Sequence, residues 1–298
     1  MELIQAQRKQ VKLRVGISGP SGFGKTYSAL LLAFGMTGDY SKIAIIDTEN
    51  QSASLYSHLG NYNTLSLKPP YAPENYIKAI EVCERADIEV VIIDSITHEW
   101  SGQGGCLNIH EQLGGRFQDW AKVSPRHQSF IDKILQAKCH VITTARTKVD
   151  YSMDKDNTGR TKVTKHGMKE ITREGFEYEL TVNFELLNDN HLVSASKDRT
   201  GLFMNKPEFA INSSTGRKLM RWCNNGVDIE KAKTEISQCE NLEALRHIYK
   251  KYPNYQNELM PSILEKKAQI EDSNLEVSEN TEVREQLKIN KDANSRAK

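Results

Sequence analysis

The sequence lacks any long apolar run, since no stretch of about 18 consecutive apolar residues occurs in it. A membrane-spanning helix needs about 20 such residues, so we expect no membrane partner. The first residues, Met1 to Gln5, also lack the basic-then-apolar pattern of a secretion signal. Together these absences favour a protein of the cytoplasm.

Cysteines are few and follow no metal-binding pattern. The chain has five, an odd number, and none of them forms a C-x-x-C pair. This spacing argues against both a disulfide framework and a zinc site. We therefore expect reduced cysteines without a special role.

The chain has almost no net charge. Forty Lys and Arg residues balance 39 Asp and Glu residues, which leaves a formal net charge of +1. Any affinity for nucleic acid must therefore come from a local basic patch, because the protein as a whole does not attract phosphates.

Apolar runs alternate with helical stretches over residues 12 to 196, which is typical of an α/β fold with a mostly parallel central sheet. The last two predicted strands are expected to form an antiparallel pair at the edge. The predicted strands are 12–18, 42–47, 89–94, 139–144, 178–187 and 190–196.

A change in composition divides the chain. Residues 1–225 are predicted to form the α/β core, and 226–270 a small helical region with Asp228 and Asn241 as helix N-caps. Residues 271–298 are polar and poor in aromatic side chains, with acidic residues first and basic residues last. We expect this tail to be disordered.

One segment satisfies every fixed position of the phosphate-binding loop, G-x-x-x-x-G-K-[S/T]. Glycines let backbone N–H groups curl around an anion, the lysine reaches the β and γ phosphates, and the threonine hydroxyl ligates Mg²⁺. A strand precedes the segment and a helix follows it. Nucleotide contacts are predicted for Gly19, Pro20, Ser21, Gly22, Phe23, Gly24, Lys25, Thr26 and Tyr27.

A carboxylate ends the apolar strand Val90–Asp94. Ligands of open α/β sheets bind at the carboxyl ends of the strands, so Asp94 is expected to hold Mg²⁺ together with Thr26. The alternative is a structural role, in which Asp94 caps the next helix.

Two carboxylates are candidates for the base that activates water. Glu49 follows the strand that comes after the loop helix, and Glu99 lies five residues past Asp94. A positioned carboxylate base contributes about 10²- to 10⁴-fold in rate, which distinguishes an ATPase from a nucleotide holder. We favour Glu49 and keep Glu99 as its rival.

These motifs resemble those of RecA-like recombinases. Residues 43–50 resemble the strand that ends in the catalytic glutamate, and 92–96 the magnesium strand. Lys197 and Arg199 resemble the K-x-R element with which RecA and KaiC relatives reach the γ-phosphate of a neighbouring subunit. Residues 94–100, together with the loop and the C-terminal helices, resemble phage-encoded RecA-like ATPases, some of which are linked to single-strand annealing and recombination.

The resemblance implies a RecA-like P-loop NTPase core with a small C-terminal helical appendage. It implies that Glu49 activates water, that ATP and Mg²⁺ are the cofactors, and that the protein forms a homo-oligomer, either a ring or a filament. For a phage-encoded protein the expected location is the host cytoplasm. One position departs from the family pattern: Thr144 stands where the relatives have a glutamine that senses the γ-phosphate. RecA-style coupling of ATP to strand exchange is therefore not predicted.

Positive charge is concentrated in residues 146–173, which contain eight basic and four acidic residues and so have a net charge of +4. A turn at 156–159 would join two extended arms into a hairpin that presents this charge, with Tyr151 available for base stacking. In RecA relatives the loop at this place contacts single-stranded DNA. The alternative is a solvated hairpin whose lysines protect an edge strand from aggregation.

We therefore expect a Mg²⁺-dependent ATPase that acts on single-stranded DNA in recombination or replication. An alternative is a module that binds or anneals single-stranded DNA and uses nucleotide without hydrolysing it. A P-loop kinase fits less well, because the sequence has no evident Arg-rich lid and Glu49 suits water activation better than phosphate acceptance.

Overall fold

A computed structural model describes residues 11–155, 161–188, 190–224, 227–252 and 255–272. It divides the chain into two compact units, Met1–Cys223 and Asn224–Lys298. Within the described ranges, no helix is both long and apolar enough to cross a membrane.

The first unit alternates strands and helices. The strands are β1 Arg14–Gly19, β2 Ile43–Asp47, β3 Asn63–Ser66, β4 Val90–Asp94, β5 His140–Lys155, β6 Thr161–Glu170, β7 Val182–Leu186, β8 Leu192–Asp198 and β9 Phe209–Ala210. The helices are α1 Lys25–Thr37, α2 Pro73–Arg85, α3 Thr97–Ser101, α4 Cys106–Gln112, α5 Trp120–Gln136 and α6 Ser213–Asn224, the last of which continues into the second unit by one residue.

The strands form one sheet in the order β3-β2-β4-β5-β1-β7-β8-β9, and β6 pairs with β5. The neighbours from β3 to β7 are parallel, whereas β8 runs antiparallel to β7 and β9 antiparallel to β8. The predicted mostly parallel sheet is confirmed, and so is the antiparallel pair. That pair is not the edge itself, because the two-residue β9 follows it.

Both faces of the sheet are covered, which is why β2 and β4 are apolar at every position before their final aspartate. In β4, Val90 and Ile92 face the cluster formed with α1 and α6, and Val91 and Ile93 face the cluster formed with α2 and α5. Fully burying a side chain of this size stabilises the fold by about 1.5–3 kcal/mol. The two clusters hold the carboxyl ends of β1, β2 and β4 together at one edge of the sheet.

Strand β5 is much longer than the predicted 139–144. Its first part lies between β4 and β1, and from Thr147 onward it pairs antiparallel with β6. The two extended arms of the predicted hairpin are therefore present. The predicted turn at 156–159 lies outside the described residues.

The described residues of the second unit form α7 Val227–Ser237, α8 Leu242–Lys251 and a third helix, α9, over 256–272. Its core includes Ile236, Leu245 and Leu259. The side chain of Asn241 accepts a hydrogen bond from the N–H of Ala244, as predicted for an N-cap. Asp228 is not an N-cap, because α7 begins one residue earlier. The expectation of a disordered tail falls almost wholly outside the described part of the chain.

Candidate functional site

The phosphate-binding loop connects the end of β1 to the start of α1. Gly22 and Gly24 have φ angles of 85° and 88°, the left-handed region that favours glycine. A Cβ on Gly24 would also lie 2.9 Å from Nδ1 of His191. No side chain caps the amino end of α1, so its first N–H groups are available to an anion.

Lys25 lies inside the curve of this loop. Its Nζ donates hydrogen bonds to the carbonyl oxygens of Gly19 at 2.9 Å and Pro20 at 2.7 Å. Burial lowers the pKa of the Lys25 ammonium. The residue is thus held where the motif requires a cation for the β and γ phosphates.

Asp94 and Thr26 meet as predicted. The Thr26 hydroxyl donates to Oδ2 of Asp94 at 2.6 Å, and the Thr144 hydroxyl donates to Oδ1. Burial raises the pKa of the Asp94 carboxyl, although the two hydroxyls oppose this shift. The hydroxyl of Thr144, the residue that the resemblance places at the position of the sensor glutamine, is thus bound to Asp94.

This donor set fits Mg²⁺. A carboxylate and a hydroxyl are the hard oxygen ligands that Mg²⁺ takes together with water and substrate phosphates. Asp94 is 2% exposed, and a divalent cation beside it would offset the cost of burying its charge. The alternative role for Asp94, capping the next helix, does not occur, because the N-cap of α3 is Ile96 and no side chain accepts a capping hydrogen bond from this helix.

Glu49 lies two residues past Asp47, the last residue of β2. Strand β2 pairs with β4, and Asp47 is the register partner of Asp94. Asp47 shapes this turn, because its carboxylate accepts the N–H of Glu49 at 2.7 Å and that of Ala53 at 3.0 Å. Sequence reasoning did not identify this role of Asp47, although its position at the end of an apolar strand was a signal.

Arg146 forms an ion pair with Glu49. Its Nε donates to Oε1 at 2.9 Å and its Nη2 to Oε2, while the Ser95 hydroxyl donates to Oε1 at 3.2 Å. The backbone of Arg146 is held by Thr97 Oγ1 and by the N–H of Ile171. Counting Arg146 with the basic surface of the hairpin was therefore wrong, because its charge is engaged at the site.

The rival base, Glu99, lies elsewhere. Its carboxylate contacts Nδ1 of His127 at 3.0 Å and accepts from the Cys106 thiol at 3.1 Å. Its side chain is 1% exposed. The structure brings Glu99 together with these two residues and Glu49 together with Arg146 and Ser95.

Lys197 and Arg199 project to the same side, and both donate to the carbonyl of Tyr178. They do not reach the phosphate loop of their own chain. The N–H of Arg199 donates to Thr181, whose N–H donates to Arg14. Arg199 is thus level with the amino end of β1, whereas the loop follows its carboxyl end.

Tyr27, the last predicted nucleotide contact, is 38% exposed, and its ring lies 5.7 Å from that of Tyr56. His191, one residue before β8, contacts the carbonyl of Phe23 through Nδ1 at 2.8 Å. Nothing in the sequence pattern assigned His191 to the loop, because the contact joins residues far apart in the chain.

Residues 11–210 match the AAA domain family. This span is more than half of the chain and includes the phosphate loop, Glu49, Asp94, Lys197 and Arg199. The chain belongs to the AAA domain family. It is a P-loop ATPase with a mostly parallel central sheet.

Two solved structures are similar to this AAA-domain ATPase. A KaiC-like protein from the hyperthermophilic archaeon Pyrococcus horikoshii is 17% identical with a TM-score of 0.38, over 67% of this chain and 87% of that one. An ATPase from the type III secretion system of pathogenic bacteria is 14% identical with a TM-score of 0.37, over 63% of this chain and 58% of that one. Comparison with curated protein sequences found no significant match.

Proposed function

We propose that this ATPase hydrolyses ATP with Mg²⁺, using Glu49 as the base that activates water. The supporting observation is that Thr26, Asp94 and Glu49 come together at one edge of the sheet. The hydroxyl of Thr26 lies 2.6 Å from the carboxylate of Asp94, and Glu49 follows the neighbouring strand. Lys25, in the same loop, supplies the charge for the β and γ phosphates.

Each group in the site has a separate task. Thr26 and Asp94 would hold Mg²⁺, which neutralises charge on the β and γ phosphates when bound. Glu49 takes a proton from the attacking water, and a base of this kind contributes about 10²- to 10⁴-fold in rate. Glu49 therefore has to break at least part of its ion pair with Arg146 in order to accept a hydrogen bond from the attacking water.

The pairing of Arg146 links the site to the hairpin. Arg146 is the last residue of β5 in register with β1, and the hairpin pairing begins at the next residue, Thr147. Its carbonyl also accepts the N–H of Ile171, just past β6. A ligand that moves the hairpin would therefore move the arginine that restrains Glu49.

We propose that this ligand is single-stranded DNA and that the ATPase acts in recombination or replication. Without Arg146, the hairpin segment 147–173 still has seven basic and four acidic residues, a net charge of +3 in a chain of net charge +1. Its two strands pair with each other past the last β5 residue that is in register with β1. Single-stranded DNA is bound by such basic surfaces through its phosphates. The resemblance to RecA-like proteins supports the same assignment.

Replacing Arg160, Lys162 and Lys165 together with Ala tests this assignment. We expect weaker binding to single-stranded DNA of any sequence, and a salt slope that falls by about 0.7 for each phosphate that the protein no longer binds. We also expect ATP turnover that single-stranded DNA no longer stimulates. Fluorescence anisotropy at several salt concentrations, with steady-state ATPase assays, measures both. These three side chains lie outside the described part of the structure.

The matched control replaces three exposed lysines outside the hairpin, Lys68, Lys122 and Lys206. It removes the same charge and should leave both quantities unchanged. Equal loss in the two triple variants would show a non-specific charge effect. Unchanged DNA affinity in the hairpin variant would show that the hairpin is a solvated edge and not the DNA-binding surface. Nucleotide-dependent DNA binding without any turnover would favour a non-hydrolysing module.

A further inference from the structure

A second group of chemically reactive side chains lies apart from the nucleotide site. Glu99 on α3, Cys106 at the start of α4 and His127 on α5 direct one ligand atom each to a common point. The three come from different helices and are separated by up to 28 residues in sequence. A glutamate is almost never fully buried in a protein unless it has a partner, and here both neighbours are potential metal ligands.

The distances suit a metal ion. Cys106 Sγ lies 3.1 Å and His127 Nδ1 lies 3.0 Å from Oε1 of Glu99, and all three ligand atoms fall within 4.8 Å of one another. Tetrahedral zinc bonds of about 2.0–2.3 Å place ligand atoms about 3.3–3.6 Å apart. The two distances to Glu99 are within about half an ångström of that spacing, and no pair of ligand atoms in the group is more than 4.8 Å apart.

The burial of the group favours a cation. Glu99, Cys106 and His127 are 1%, 0% and 4% exposed. The ring of Trp100 lies edge-on to His127 at 5.6 Å, and that of Phe130 at 6.5 Å, so the surroundings are aromatic. A carboxylate buried in such a place is costly unless its charge is balanced.

We propose that Glu99, Cys106 and His127 form a zinc site that braces α3, α4 and α5. With the thiol deprotonated, the three ligands carry a charge of −2, which one Zn²⁺ cancels. Thiolate and imidazole ligands select zinc over Mg²⁺, which prefers oxygen. The ion of this site is therefore distinct from that of the nucleotide site.

Zinc binding releases the thiol proton. Without metal, burial and the neighbouring Glu99 raise the pKa of the Cys106 thiol, so it stays protonated and donates to that carboxylate. With metal, a Zn–S bond replaces the S–H bond and the proton leaves to solvent. Affinity for zinc should therefore rise with pH.

A cavity reaches one side of the group. His127 lines this cavity, which has a volume of about 470 Å³ and lies between α5 and residues 173–179. Glu99 and Cys106 do not line it, so an ion that enters there would meet the imidazole first. Cysteine spacing argued against a zinc site, but spacing can detect only ligands that lie close together in the sequence.

Metal content and spectroscopy of the tag-free, nucleotide-free full chain test the proposal. We expect about one zinc per chain by mass spectrometry of the metal. Exchange for Co²⁺ should give the near-ultraviolet thiolate-to-cobalt charge-transfer band. Cys106→Ser should abolish that band, and His127→Ala should weaken metal affinity by more than about 10-fold. Cys83→Ser and His110→Ala, which remove a buried thiol and a histidine outside the group, should change neither.

Two results would overturn the proposal. One is wild-type protein that retains no zinc and gives no charge-transfer band with Co²⁺. The other is a band that persists in Cys106→Ser. Circular dichroism shows whether Cys106→Ser folds. If it does not, the zinc content and cobalt band of the wild-type protein decide. The band of Cys83→Ser then shows whether the thiolate comes from that other buried cysteine.

Discussion

Asp94 has a buried carboxylate whose hydrogen-bond partners are the hydroxyls of Thr26 and Thr144. Because burial raises its pKa, the folded protein binds the proton of Asp94 more tightly than the unfolded chain does. The stability from this group is fully present below the unfolded pKa and is lost as pH rises through the folded pKa. At neutral pH the ionised Asp94 carboxylate therefore lowers the free energy of unfolding, a cost that its proposed role in holding Mg²⁺ would explain.

Asp94→Asn should raise the melting temperature of the metal-free, nucleotide-free protein at pH 7.5, because it removes a buried charge and keeps the shape. A gain of about 1 kcal/mol corresponds to about 2–4 °C in a unit of this size. The gain should shrink at pH 5, and Mg²⁺-dependent turnover should be lost. Thermal melts at both pH values measure this. The exposed Asp87→Asn is the control, and a lower melting temperature for Asp94→Asn at pH 7.5 would contradict the reasoning.

The sequence predicted the residues of the site better than their partners. Lys25, Thr26 and Asp94 belong to motifs whose geometry is local, and the structure places them together. The pairing of Glu49 with Arg146 joins residues 97 apart in the chain. No periodicity or spacing encodes such a contact, since it depends on the register between strands.

At the scale of elements, His140 joins the first residues of β5 to the segment before β1. Its Nδ1 accepts the N–H of Leu13 at 3.0 Å, so the ring is neutral in the folded state. Burial lowers the pKa of His140 to about 3. A histidine with a depressed folded pKa contributes stability above the unfolded pKa of about 6.5, and this stability is lost as pH falls toward the folded pKa.

The free energy of unfolding should therefore fall between pH 7 and pH 5, with a slope approaching 1.4 kcal/mol per pH unit from this group. His140→Gln keeps an acceptor but cannot take up the proton, so its slope should be shallower. Urea denaturation at pH 7, 6 and 5 measures the slopes. The exposed His58→Gln should behave like wild type, and equal slopes in all three proteins would show that His140 does not carry the effect.

Strands that are buried on both faces could be predicted, because their sequences are continuous apolar runs. The apolar strands β2 and β4 begin within one residue of their predicted starts and end as predicted. Strand β3, with the sequence NTLS, was missed because it is short and lies mostly exposed at the edge. The length of β5 was missed because its outer half pairs only with β6 and needs no apolar face.

At the scale of the whole molecule, the positions of Lys197 and Arg199 mean that any role of theirs in hydrolysis requires the site of a neighbouring subunit. They lie level with the amino end of β1, far from the loop of their own chain, and both donate to the carbonyl of Tyr178. By the resemblance to RecA and KaiC relatives, they would reach the γ-phosphate of a neighbour in a homo-oligomer. A cation supplied in this way contributes about 10³- to 10⁵-fold in rate.

A mixing experiment tests the shared site. The double variant Lys197→Ala/Arg199→Ala should bind ATP normally and be inactive alone, as should Glu49→Gln. Mixtures of the two should recover part of the activity at interfaces that combine an intact Glu49 with an intact cation pair. The control mixes Glu49→Gln with Lys25→Ala and should show no recovery, because neither subunit then has an intact nucleotide site. Absence of recovery in mixtures shown to co-assemble would leave the pair as surface charge.

The most direct test of the proposed chemistry compares Glu49→Gln with Glu99→Gln. The amide at position 49 preserves shape but cannot accept a proton, so ATP affinity should stay within a few-fold of wild type while turnover falls by about 10²-fold or more. Glu99→Gln should lower stability and leave the turnover of the folded fraction near wild type. Titration calorimetry with a non-hydrolysable analogue and a single-turnover assay measure the two quantities. Loss of turnover in Glu99→Gln, with Glu49→Gln fully active, would contradict the assignment of Glu49 as the base.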